Sequence, residues 1–180
     1  RQRSSFAAPV YVEIWLEYTG ARDLLEPVAD KYNLKIVSGF SGIPLTEIWR
    51  FVRRVCNCDK PVRIFYLSDF FFFSSGRITA IDKTRSVLEQ FGLADKMDIK
   101  IEKLALTKED CLRLSLPHIP VDNKDNFKPD LYPVELDSLE AASPNLIRNE
   151  LEKHISVYLG NASNYCVKDE AKMEIREIID

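Results

Sequence analysis

Pro61-Val62-Arg63-Ile64-Phe65-Tyr66-Leu67 runs directly into Ser68-Asp69. β-Branched and aromatic side chains fill the run, which is the composition of a strand. It lacks the polar-apolar alternation of a strand with one wet face. Its continuous bulk suits a central parallel strand covered on both sides. Working back from it, Pro44 opens a helix with the apolar stripe Ile48, Trp49, Val52 and Val55. A residue with preset φ is well placed at a helix start. Before that stand the short strand Leu34-Lys35-Ile36-Val37-Ser38 and the loop Gly39-Phe40-Ser41-Gly42. Residues 20–32 carry Leu24, Leu25, Val28, Ala29 and Tyr32 at helical spacing, with Asn33 closing the turn. Pro27 lies inside that pattern and predicts a kink or a late helix start. Val10 to Leu16 reads as the first strand.

Downstream, a helix is expected from about Arg77 to Gln90, stopped by Gly92. Ile99-Lys100-Ile101-Glu102-Lys103-Leu104 alternates, as a strand near an edge does. Thr107 and Asp110 form an N-cap pair for a short helix through Leu114. Residues 115–133 hold Pro117, Pro120, Pro129 and Pro133 around a polar stretch and read as a long loop. Loops of that length are usually functional or mobile. Val134-Glu135-Leu136 reads as a last short strand. Ser143-Pro144 starts a helix from Asn145 to Leu159, which Gly160-Asn161 ends. Strand–helix alternation of this kind predicts an α/β fold, a mostly parallel sheet with helices on both faces. Residues 1–9 are an N-terminal arm, 10–159 the α/β domain, and 160–180 an acidic C-terminal helical extension.

Composition narrows the function classes. The chain is 46% hydrophobic and 29% charged, which excludes disorder as the main state and a coiled coil. No apolar run approaches the roughly 20 residues that cross a bilayer, and the N-terminus lacks the apolar core of a signal peptide. A soluble, cytoplasmic protein without a membrane partner is expected. The absence of an initiating Met suggests a processed product or a piece of a larger chain.

The formal net charge of -3 argues against a protein that coats nucleic acid electrostatically. Residues 130–180 carry 5 basic and 11 acidic side chains, a net of -6, which leaves +3 on residues 1–129. A local nucleic-acid groove in the first part would draw on Arg50, Arg53 and Arg54, with Lys60 beside them. On charge alone, that cluster reads as the solvated face of a helix. Cys56 and Cys58 form a C-x-C pair without further ligands nearby, a weak zinc signal, so free thiols in a reducing compartment are expected.

In parallel α/β sheets ligands gather beyond the carboxyl ends of the strands. Glu17 ends the first strand and Asp69 ends the third. Taken by spacing alone they are two surface acids. From neighbouring strand ends they could share a hard cation through oxygen ligands.

The same stretches carry a resemblance. Val12-Glu13-Ile14-Trp15-Leu16-Glu17, Leu24 to Ala29, Gly39-Phe40-Ser41, Ile64-Phe65-Tyr66-Leu67-Ser68-Asp69-Phe70, Gly76-Arg77 and Val134-Glu135-Leu136-Asp137-Ser138-Leu139 follow one another in order. The series resembles the Toprim-like domain of the topoisomerase VI A subunit and its meiotic double-strand-break relatives. It is most similar to uncharacterised prokaryotic and phage proteins that carry this domain. It spans roughly residues 10–158.

The resemblance implies Mg²⁺-dependent phosphodiester chemistry on nucleic acid, DNA more than RNA. By it, Glu17 is the general acid/base or metal-linked glutamate and Asp69 the first acid of an Asp-x-Asp metal pair. Glu135 and Asp137 match a later acidic motif. The family's Asp-Phe-Asp-Pro-Ser-Gly signature is replaced here by Asp69-Phe70-Phe71-Phe72-Phe73-Ser74-Ser75-Gly76, two residues longer, with Phe71 at the second acid. Tyr18 stands where relatives commonly have lysine. A phenyl ring cannot ligate Mg²⁺, so metal binding is expected to be weak.

Two readings stay open at this point. One is a metal-dependent enzyme with Glu17 handling the proton. The other is a non-catalytic Toprim-like module that binds nucleic acid or a protein partner. The four phenylalanines either extend the strand and pack on flanking helices or form a platform for stacking. An unrelated nucleotide-binding fold is disfavoured, because no glycine-rich phosphate loop follows the first strand.

Overall fold

A computed structural model describes residues 8–17, 20–39, 42–56, 58–70, 80–117 and 133–160. The element order is β1 (Tyr11–Leu16), α1 (Arg22–Lys31), β2 (Lys35–Ser38), α2 (Leu45–Val55), β3 (Val62–Leu67), α3 (Ala80–Gln90), β4 (Ile99–Ala105), α4 (Lys108–Arg113), α5 (Leu136–Ala142) and α6 (Pro144–Leu159). The strands form one sheet in the order β2-β1-β3-β4, every pair parallel. The fold is α/β, as the alternation of strand and helix patterns requires. No helix among the described residues is long and apolar enough to cross a membrane.

Apolar side chains on both faces of the central strands explain the layers. Val12, Ile14 and Leu16 of β1 and Phe65 and Leu67 of β3 pack with Leu25, Val28, Leu139, Ile147, Leu151 and Ile155 from α1, α5 and α6. Trp15, Val62, Ile64 and Tyr66 point the other way, onto Ile48, Phe51 and Val55 of α2 and Leu88 of α3. The run that begins at Pro61 is thus a central strand with two dry faces, and β4 is an edge.

Several local expectations need correction. Helix α1 begins at Arg22, ahead of Pro27, not after it. Pro27 is exposed, so the ladder bond it forgoes faces water while Leu25, Val28 and Ala29 hold the helix to the sheet. In α2 the buried stripe is Ile48, Phe51 and Val55, and Trp49 is 48% exposed against Phe91. Val134-Glu135-Leu136 is not a strand. Val134 makes a single antiparallel bridge with Phe70, and Leu136 already begins α5. By contrast, Thr107 and Asp110 close a full capping box on α4, as their spacing predicts. Cys56, Cys58 and Cys111 are free thiols. Residues 1–7 of the arm, Tyr18, Phe71 to Gly76, most of the loop before Pro133 and the extension beyond Gly160 lie outside the described residues.

Candidate functional site

Strand order 2-1-3-4 has a consequence for binding. From β1 the chain crosses to β2 on one side, and from β3 to β4 on the other. The crossovers part between β1 and β3, which is the topological switch point where open parallel sheets place ligands. Glu17 and Asp69 follow those two strands. Leu16 is in register with Leu67, and Glu17 N–H donates to the Leu67 carbonyl at 3.0 Å. Ser68 N–H donates to the Ala105 carbonyl at 2.8 Å, and Gly39 N–H to the Leu16 carbonyl at 2.9 Å. Backbone hydrogen bonds thus fix the strand ends on which both acids sit.

The acids differ in their surroundings. Glu17 is half-buried, and its carboxyl titrates above the usual range. Burial is the main cause and the Asp69 charge the second, while Lys103, the Ser68 hydroxyl and Lys83 act in the opposite direction. Asp69 already has a structural task. Its Oδ1 accepts the Leu136 N–H at 2.8 Å, capping the first turn of α5 in place of Glu135, whose side chain makes no cap bond. Phe70 and Val134 exchange two backbone hydrogen bonds of 2.9 Å beside it. Glu135 and Asp137 flank Leu136 and therefore stand next to Asp69, but both are exposed.

One further side chain reaches these strand ends. Lys103 Nζ donates to the Asp69 carbonyl at 3.0 Å and lies 5.9 Å from the centre of the Phe70 ring. Burial lowers its affinity for a proton, and the Glu17 and Asp69 charges oppose that. A β-bulge follows it directly. Lys103 pairs with Tyr66 and Ala105 with Leu67, which leaves Leu104 as the extra residue. Bulges often re-aim side chains beside functional sites. The sequence held a signal for Lys103: it follows Ile99 and Ile101 on the apolar side of an alternating strand, where a lysine needs a reason.

The basic cluster lies elsewhere. Helix α2 returns from the carboxyl end of β2 to the amino end of β3, with Arg53 and Arg54 in its last turn. Arg54 is not part of a solvated face, which corrects its assignment as a nucleic-acid contact. Its Nε and Nη2 bind Glu13 at 2.7 and 3.0 Å beneath the helix. Glu13 is fully buried and also accepts from Tyr11 Oη at 2.7 Å and Trp15 Nε1 at 2.9 Å. This carboxylate in the middle of a central strand is satisfied on both oxygens. Arg50 and Arg53 remain exposed, Arg50 paired with Glu47.

The described residues do not make up an all-protein cage for a hard cation. Among the described residues, no group of three or more His, Cys, Asp and Glu is arranged to hold a metal ion. Mg²⁺ demands near-octahedral oxygen geometry. Asp69 spends one oxygen on α5, and the Lys103 ammonium is bonded to its backbone carbonyl.

The raised titration of Glu17 has a testable sign. A carboxyl that binds its proton more tightly in the folded state opposes folding while ionised. That penalty is present above the folded pKa and vanishes as pH falls below the unfolded carboxylate value. Glu17→Gln is therefore expected to raise the thermal midpoint at pH 7, with the gain fading by about pH 4. Melting curves across that range check it. A loss of stability at pH 7 would show that the ionised carboxylate is a net structural asset.

No family model, curated protein or solved structure matches the chain.

Proposed function

We propose that the chain is a Toprim-like module of a nucleic-acid-processing protein, and that it binds the phosphodiester backbone, in DNA before RNA, without cutting it. The observation that carries the reading is the position of Glu17 and Asp69 just beyond adjacent strand ends, at the β1/β3 switch point of a fully parallel sheet. In Toprim-like enzymes that place belongs to carboxylates which, with Mg²⁺, polarise the phosphoryl group. Three features favour binding over cleavage here. Phe71 replaces an acid of the family motif, Asp69 caps α5, and the Lys103 ammonium is bonded to the Asp69 backbone carbonyl. The exposed Arg50 and Arg53 supply phosphate contacts along α2, and the free thiols suit a reducing, cytoplasmic setting.

Binding is expected to be modest and salt-dependent, because residues 1–129 carry only +3. If two or three phosphates are neutralised, log K falls against log salt with a slope of about -2 to -3. Fluorescence anisotropy with single-stranded and duplex DNA and RNA measures it, and Arg50→Ala/Arg53→Ala should make the slope shallower. Supercoiled plasmid should stay intact in Mg²⁺ and Mn²⁺. Cleavage that Glu17→Gln abolishes would restore the enzyme reading. Binding indifferent to salt would favour a protein partner instead. That second reading has its own support in Leu45 and Trp49, 57% and 48% exposed and one helical turn apart on α2.

A further inference from the structure

We infer that Trp49 on α2 is a stacking platform for an unpaired base, with Arg53 beside it for the phosphate, so that the chain takes single-stranded nucleic acid in preference to duplex. The inference deepens the nucleic-acid reading and rests on it. Leu45, Trp49 and Arg53 follow one another at intervals of four residues on α2 and share one side of the helix, next to the buried stripe of Ile48, Phe51 and Val55. Trp49 is 48% exposed, whereas the chain's other tryptophan, Trp15, is fully buried. Arg54 is taken by Glu13 and Arg50 by Glu47, while Arg53 is exposed and, among the described residues, has no acidic partner. Side chains four apart on a helix are neighbours, so the Arg53 guanidinium lies within reach of what covers the indole.

A platform must be held still as well as left open. Trp49 meets Phe91 edge to face, with ring centres 4.3 Å apart and planes at 62°. Phe91 is fixed in turn at the end of α3. Gly92, at φ 62°, donates its N–H to the Glu89 carbonyl and Leu93 donates to the Leu88 carbonyl, the two bonds of a Schellman cap, and Leu93 is buried. A ring fixed before binding loses little freedom when a base lands on it. Size and charge select the occupant. A protein partner needs several apolar anchors within a patch of about 800 Å². Among the described residues, the large exposed hydrophobics are Leu45, Trp49, Leu112 and Val157, and only the first two share a helix. A nucleotide needs one open ring and one cation, which Trp49 and Arg53 supply. Inside a duplex both faces of a base are already stacked, so the indole can take a base only from a single strand.

The test titrates the full chain with fluorescein-labelled oligo-dT and with a labelled duplex of equal length, read by anisotropy. Unlabelled oligo-dT is read by tryptophan emission. Because Trp15 is fully buried, quenching reports Trp49. Wild type is expected to bind oligo-dT more tightly than duplex, with quenching that tracks binding. Trp49→Ala should weaken oligo-dT binding by roughly fivefold or more and duplex binding by less than about twofold. Trp49→Phe keeps a ring and should retain most of the affinity, whereas Arg53→Ala should weaken both probes. Circular dichroism checks that each variant is folded, and the wild-type quenching needs no variant at all. Binding of oligo-dT without quenching, or equal losses on the two probes in Trp49→Ala, would overturn the platform and leave the phosphodiester reading standing. Quenching by an acidic, leucine-bearing peptide in place of oligo-dT would also overturn it and give the face to a protein partner. Failure of wild type to bind either probe would sink both readings, so the two failures are distinguishable.

Discussion

Arg54→Ala is expected to destabilise the protein by about 3–5 kcal/mol, the cost of stripping one partner from a buried ion pair. Glu13 is fully buried on a central strand, and only Tyr11 and Trp15 would remain to solvate it. Glu13→Ala should cost somewhat less. Arg54 keeps 16% side-chain exposure and can swing toward water, although the Tyr11 hydroxyl and Trp15 N–H would lose their acceptor. The pair itself is not expected to be the source of net stability, since desolvation offsets much of its attraction. Glu13→Leu/Arg54→Met should therefore be more stable than either alanine variant. Urea midpoints for the four proteins decide the matter. A loss below about 1 kcal/mol for Arg54→Ala would place the arginine in solvent after all. The result also guards the function experiments: weakened nucleic-acid binding by Arg54→Ala would report a damaged core, not a lost phosphate contact.

Gly39→Ala should be the most damaging small substitution near the cleft. A methyl built there would stand 2.0 Å from the Gly42 carbonyl oxygen and 2.8 Å from its carbon. These are backbone atoms, which cannot turn aside as a long side chain could. Gly39 is also tied by its N–H to the Leu16 carbonyl, so it cannot retreat without loosening β2 from β1. Overpacking of this kind costs about 1–3 kcal/mol, with the upper end expected for a clash against two bonded backbone atoms. The effect should reach the site, because the clash falls on Gly42, where a built methyl would lie 3.9 Å from Glu17 Oε1. Denaturant midpoints give the stability, and anisotropy in the absence of denaturant gives the binding. Wild-type values for both would mean that the turn yields at no cost.

The layered α/β architecture was legible in the chain because it follows from short-range pattern. Continuous apolar runs such as Ile64 to Leu67 must be covered twice, and alternating ones such as Ile99 to Leu104 only once. Caps behaved similarly: Thr107 with Asp110, and Gly160 after Leu159, act through bonds a few residues apart. Helix boundaries were less certain where two principles competed. Pro27 forbids one hydrogen bond, yet the buried side chains around it outweigh that loss. The sequence reading put Trp49 in the apolar stripe and left Phe51 out, because which side of α2 faces the sheet depends on the angle at which the helix lies.

Glu17 and Asp69 could be named as strand-end acids from sequence, and the resemblance joined them. Their adjacency, however, is a property of strand order, which only the folded sheet decides. The roles of Asp69 and Arg54 changed for the same reason. A side chain's chemistry is fixed by its type, but its task depends on what long-range packing brings beside it. Leu136 lies 67 residues from Asp69 and Glu13 lies 41 from Arg54, distances across which no local pattern speaks. Lys103 marks the boundary between the two kinds of knowledge. Its place on the apolar face of a strand was written in the alternation, but the bulge and the carbonyl that receive it exist only after β3 and β4 have paired.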